Sequence, residues 1–142
     1  MANVREAVIM PPELLALFMS TPLDTQVKIF VDIKNSAEIM RILNDNMKKM
    51  RRVIIAMFNA PPYNNDLYGK ETVSNKSENI TAIKFKGKLN IRIYCKEYAQ
   101  SDKDKIIVLA YPYYKKSEKI DKKTKNIIET APKYEYNFGE HR

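Results

Sequence analysis

Cationic and aromatic side chains recur at alternate positions over residues 84–94. Lys84 and Lys86 stand two apart in TAIKFK, and Arg92 and Tyr94 stand two apart in NIRIY. Further on, the run YPYYKK adds Tyr111, Tyr113, Tyr114, Lys115 and Lys116. Cations hold phosphates and aromatic rings stack on unpaired bases, so this mixture on one surface suits single-stranded RNA. Read structurally, the same residues are ordinary: outward lysines blunt exposed strand edges, and tyrosine is a good strand former in its own right.

The charge balance points the same way. Residues 80–142 carry 15 Lys or Arg against 8 Asp or Glu, whereas residues 1–79 carry 10 against 9. Nearly all of the formal charge of +8 therefore belongs to the C-terminal half. A basic surface gathered on one side is the electrostatic footprint of a polyanion partner, with nucleic acid the first candidate.

Other classes are disfavoured. A chain of 142 residues is one ordinary domain with enough length to bury a core. Gly is scarce, at 3 residues, and neither GxxxxGK[ST] nor GxGxxG occurs. The lone Cys95 excludes an internal disulfide and a cysteine-based zinc site, and it fits a reducing cytosol. The opening MANVREAVIMPPELLALFMS is interrupted by Arg5, Glu6, Pro11, Pro12 and Glu13, so no signal peptide is expected. No apolar run approaches the ~18 residues of a membrane span. A cytoplasmic protein without a membrane partner and without a cofactor is the expectation.

The elements that must carry the cationic residues follow from periodicity. Residues 11–19 (PPELLALFM) read as a short proline-started helix. Val27, Ile29, Val31 and Ile33 alternate as in a strand. Ser36 offers an N-cap to a helical run reaching Phe58. In that run Ile39, Leu43, Met47, Met50, Ile54 and Met57 recur at spacings of three and four and read as core. Lys48, Lys49, Arg51 and Arg52 fall mostly on the other side and read as a solvated face. Asn44-Asp45-Asn46 is placed to split the run into two helices. Residues 59–79 read as a long loop with Tyr63 and Tyr68 exposed. Strands follow over 80–87, 89–96 and 105–114, with a turn at Asp102, and then a short helix from Asp121 to Ala131.

On this reading Ile83 and Phe85 face the helices and Lys84 and Lys86 face outward, with Ile91 and Ile93 opposed to Arg92 and Tyr94 in the same way. The expected class is α+β: N-terminal helices packed on one face of a small antiparallel sheet. Residues 1–26 read as an N-terminal extension with a short helix, and 27–142 as a single domain.

Over residues 80–136 the pattern resembles the second half of RelE/HigB-type bacterial toxins, including the related phage-derived family. The matching signals are the lysine-bearing strand, the strand NIRIY, the hydrophobic strand IIVLAYPYY running into KKSEK, and a helix holding Ala131 followed by Tyr134 and Tyr136. Over 27–79 the likeness is one of element order. The resemblance implies a RelE-like two-layer sandwich and a toxin of a type II toxin–antitoxin system. Such a toxin cuts mRNA on the ribosome without a metal: the 2′-hydroxyl attacks the adjacent phosphate. Its partners are the mRNA on the ribosome and a cognate antitoxin protein.

Carried over by position, the resemblance implies that Lys84 is the base and that Lys86 holds the phosphate. Arg92 stabilises the transition state, and Lys115 or Lys116 stands where a later basic residue lies. A lysine base must overcome a free pKa near ~10.4. Crowding by like charges disfavours protonation, and Lys84, Lys86 and Arg92 are spaced for that effect. Tyr134, Tyr136 and His141 are the candidates for the acid, His141 lying near the end of the sequence where fraying is common. Two other readings stand beside this one. A non-catalytic RNA- or ribosome-binding module would keep the charge without the reaction, and an interaction protein would use the 59–79 segment.

Overall fold

The structure, a computed structural model, describes residues 3–10, 26–58, 67–70, 80–85, 90–101, 104–115, 122, 126 and 134–138. Among the described residues seven strands form one sheet: β1 (Asn3–Ile9), β2 (Gln26–Asp32), β3 (Tyr68–Lys70), β4 (Ile80–Phe85), β5 (Asn90–Ser101), β6 (Asp104–Lys115) and β7 (Tyr134–Asn137). Their spatial order is β3-β4-β5-β6-β2-β1-β7. A 3₁₀ turn (Ile33–Asn35) leads from β2 into helices α1 (Ser36–Asp45) and α2 (Met47–Phe58). Among the described residues, no helix is long and apolar enough to cross a membrane.

This sheet overturns the expected architecture. The helices do not lie on a small antiparallel sheet: the sheet is mixed, with β2 parallel to β6 and β1 parallel to β7. Only β4–β5–β6, together with β3 and the β1–β2 pair, is antiparallel. The reason is that parallel pairs join segments distant in sequence through a crossover, and local alternation carries no trace of such pairing. Residues 3–9, within the stretch read as an extension, form β1 between β2 and β7. The expected helix over 11–19 lies outside the described residues, as does most of the one over 121–131.

The helix pair follows its sequence closely except at Met47, which the spacing assigns to the core but which stands exposed at the start of α2. Ile39, Ile42 and Leu43 of α1 and Met50, Val53, Ile54 and Met57 of α2 are buried in one cluster with Ile83, Phe85, Ile93, Ile107 and Leu109 of the sheet. Truncating one of these to alanine should cost about 2–5 kcal/mol. The break between the helices falls on Asn46, whose Nδ2 donates to the Ile42 carbonyl at 2.8 Å. Its own carbonyl accepts from Lys49 N and Met50 N to start α2. A short polar side chain here competes for backbone groups, as expected of Asn at such a point.

Ser36 does not act as the N-cap. The 3₁₀ turn already occupies its N–H with the Ile33 carbonyl, and its hydroxyl donates to the same carbonyl. Asp32 caps the turn instead, accepting from Lys34 N at 2.9 Å. Tyr68, expected on an exposed loop, is buried in β3 opposite Ile83. Its hydroxyl donates to Glu97 Oε2 and accepts from Thr81 Oγ1 at 2.7 Å, so a short strand is held by side-chain bonds as well as by its ladder.

Candidate nucleic-acid interface

The strands β4, β5 and β6 place the sequence-selected side chains by register. Lys84 lies opposite Arg92, and Arg92 lies opposite Tyr113. In the next row Ala82 lies opposite Tyr94, and Tyr94 opposite Tyr111. Ile83, Phe85, Ile91 and Ile93 belong to the cluster shared with the helices. By the pleat, Lys84, Arg92 and Tyr113 therefore line the opposite side of the sheet.

A β-bulge makes this row possible. Cys95 pairs with Leu109 but Tyr94 pairs with Tyr111, so Ala110 is an extra residue on β6. One inserted residue reverses the facing of everything beyond it. Without it, Tyr111 and Tyr113 would turn toward the helices. The bulged carbonyl of Ala110 accepts from Asn35 Nδ2 at 2.8 Å. Asn35 sits on the turn just before α1, so the helix layer and the bulge are tied together.

The same bulge sends Tyr114 to the helix side. Its hydroxyl donates to Glu38 Oε1 at 2.6 Å and also meets Arg41. Arg41 bonds Glu38 through Nε at 3.1 Å and Asp45 through Nη1 at 3.3 Å. The Arg41 guanidinium first, and the Tyr114 hydroxyl second, hold the Glu38 carboxyl down at about 2. Tyr114 is therefore an α1 contact and does not share the Lys84–Arg92 surface.

The surface around Lys84 and Arg92 is part cationic and part apolar. Tyr94 is only 1% exposed and packs with Ile80 and Ala82, with Tyr111 and Tyr113 against them. Lys84, Arg92, Tyr111 and Tyr113 are partly exposed. Tyr94 thus supports the two outer rings and is not itself open to a base. Lys86, Lys116 and His141 lie outside the described residues. Lys115 and Tyr134 are placed by backbone pairing alone, opposite Asn90 and Asn3 respectively.

Tyr136 has a different position from the rest. It is buried, and its hydroxyl donates to Asp32 Oδ2 at 2.8 Å. Arg5 Nε donates to the same oxygen at 2.5 Å. Burial, and then the bond to Asp32, push the Tyr136 hydroxyl well above its ordinary range. One carboxylate thereby gathers β1, β2 and β7. Beyond β7, Phe138 stacks edge-on against Phe30 at 4.8 Å and Tyr98 at 5.9 Å. Tyr98 belongs to β5, which β6, β2 and β1 separate from β7 in the sheet order, so the β1–β7 end curls over the same side that bears Lys84 and Arg92.

The sequence reading missed Lys96, which continues the Arg92, Tyr94 alternation along β5. It is 8% exposed, with its amine 5.1 Å from the Tyr98 ring centroid. Burial lowers its pKa, and the charge of Glu135 on β7 opposes that shift. Period two over Arg92, Tyr94 and Lys96 was the signal that could have found it.

Chemically, two neighbouring cations across a strand pair suit one phosphate, and Tyr111 and Tyr113 beside them suit adjacent bases. Among the described residues, no three His, Cys, Asp or Glu side chains converge as a metal site requires. No family model matches the chain, and neither a curated protein nor a solved structure is significantly similar to it.

Proposed function

We propose that this chain acts on RNA through the β4–β5–β6 surface, as a ribosome-dependent mRNA endonuclease of the RelE/HigB kind restrained by a cognate antitoxin protein. The observation that carries the proposal is the cross-strand row Lys84, Arg92, Tyr113. In this reaction the 2′-oxygen attacks the adjacent phosphorus and the 5′-oxygen leaves. The Lys84 amine takes the 2′ proton. Arg92 balances the charge that grows on the non-bridging oxygens, where a fixed cation is worth most. Tyr134 and His141 are the candidates for protonating the 5′-oxygen, since the Tyr136 hydroxyl is donated to Asp32.

That commitment of Tyr136, with the burial of Tyr94, favours a second reading: a module that binds RNA or the ribosome without cutting. One experiment separates the two. Purified protein is incubated with programmed ribosomes and a defined mRNA, and the 5′ ends are mapped by primer extension. Wild type, Lys84→Ala and Arg92→Ala run beside a control lacking ribosomes. Cuts confined to A-site codons and lost in Arg92→Ala support the endonuclease. No cutting, with salt-sensitive RNA binding retained by the wild type, leaves the binding module.

A further inference from the structure

An in-line attack on a phosphate asks for three groups in order. One takes the proton of the attacking oxygen, a cation meets the non-bridging oxygens, and a donor stands beyond them at the leaving oxygen. The strands β4, β5 and β6 carry such an order. Lys84 lies opposite Arg92 and Arg92 opposite Tyr113, so a guanidinium stands between an amine and a phenol. Two strand spacings put the backbones of Lys84 and Tyr113 about 10 Å apart, with Arg92 midway. All three side chains are partly exposed. The Tyr113 ring packs against the cluster of Ile80, Ala82 and Tyr94. The bulge at Ala110, bonded by Asn35, turns that ring to this side of the sheet. A donor already held in place needs little reorganisation during the reaction.

We propose that Tyr113 is the general acid of this site, its hydroxyl protonating the 5′-oxygen as that oxygen leaves. The assignment rests on the endonuclease reading above and names a catalytic residue for it. The 2′-oxygen gives its proton to the Lys84 amine and forms the new bond to phosphorus. The bond from phosphorus to the 5′-oxygen breaks, its electron pair stays on that oxygen, and the Tyr113 proton is transferred there. The products are a 2′,3′-cyclic phosphate and a free 5′-hydroxyl, and exchange with water then restores both side chains. The other described tyrosines are placed differently. Tyr111 lies one row along, opposite Tyr94. Tyr114 meets Glu38 on α1, and Tyr136 donates to Asp32. Tyr134 is carried by β7, which pairs with β1. Among them Tyr113 is the one paired with Arg92.

The test compares two mRNAs on programmed ribosomes. One is natural, and the other carries sulfur in place of the bridging 5′-oxygen at the cleaved linkage. A thiolate leaves without a proton, so the second mRNA needs the base but no acid. Tyr113→Phe keeps the ring, and with it any stacking on a base, and removes the hydroxyl alone. It should cut the natural mRNA about 10²–10⁴-fold more slowly than wild type. It should cut the sulfur-bridged mRNA at the wild-type rate. Lys84→Ala should be slow on both, and Tyr114→Phe should match wild type on both. Circular dichroism verifies the fold of each variant. Equal slowing of Tyr113→Phe on the two mRNAs, or no slowing on either, would overturn the assignment while leaving the endonuclease reading in place. A wild type that cuts neither mRNA would overturn that reading, and the assignment with it.

Discussion

Asn35 donates its side-chain amide to the carbonyl of Ala110, 2.8 Å away, and Ala110 is the residue that bulges out of register between β5 and β6. The bond joins the turn before α1 to the point where β6 reverses its facing. Asn35→Ala should remove the partner of a buried carbonyl and cost about 1–3 kcal/mol. Asn35→Asp should cost at least as much, because a carboxylate cannot donate to that oxygen. Urea midpoints measure the loss. If the bulge also positions Tyr111 and Tyr113, both variants should weaken binding of single-stranded RNA under conditions where they remain folded.

Asp32 is fully buried and meets Arg5, Tyr136 and the Lys34 backbone N–H. Asp32→Ala should destabilise by about 3–5 kcal/mol, since it takes the carboxylate from a largely buried guanidinium. Tyr136→Phe removes one hydrogen bond to that carboxylate and should cost about 1.5–3 kcal/mol. The Tyr136 hydroxyl titrates higher in the folded chain than in the unfolded one. Its contribution is thus fully present below the unfolded value of about 10 and is lost as pH rises through the folded value. Unfolding midpoints should fall above about pH 10, and less steeply in Tyr136→Phe.

Cys95 is fully buried, and burial pushes its thiol far above the range in which it would ionise at neutral pH. The thiolate is the reactive form, so both access and ionisation protect it. A coloured disulfide reagent should label the native protein only at the rate of opening, and should label it rapidly in urea. Fast labelling without denaturant would show that the β5–helix layer opens readily.

What could be read in the sequence was whatever depends on near neighbours. The spacing of Ile39, Leu43, Met50, Ile54 and Met57 marks α1 and α2, and Asn46 marks their break, because both are properties of a few consecutive turns. The alternation in β4 and β5 placed Lys84 and Arg92 on one side for the same reason. What could not be read depends on distant partners. β1 and β7 lie far apart in sequence and pair in parallel, and Arg5 and Glu6 interrupt any apolar alternation in β1. Asp32, a polar residue closing a strand, gives no sign that Arg5 and Tyr136 will meet on it. The sequence reading groups Tyr114 with Tyr111 and Tyr113 on the RNA-facing side. Period two alone separates it from them, and it lies against Glu38 on α1.

Glu38 offers a pH test of that last contact. Its carboxyl is held at about 2 against an ordinary value of 4.5, first by the bond from Arg41 and then by that from Tyr114. A lowered folded value means that the stabilisation is present above the unfolded value and disappears as the pH falls from 4.5 toward 2. The group lies open to solvent, so salt should screen the effect and the stability change should be small. The titration itself is the better readout. Carboxyl chemical shifts should place the Glu38 midpoint low in the wild type and return it most of the way to the ordinary range in Arg41→Gln. Tyr114→Phe should raise it by a smaller step, because the phenol is the weaker of the two donors acting on this carboxylate. An unchanged midpoint in Tyr114→Phe would mean that the β6–α1 contact does not persist in solution. Tyr114 would then be available beside α1 and not fixed to it.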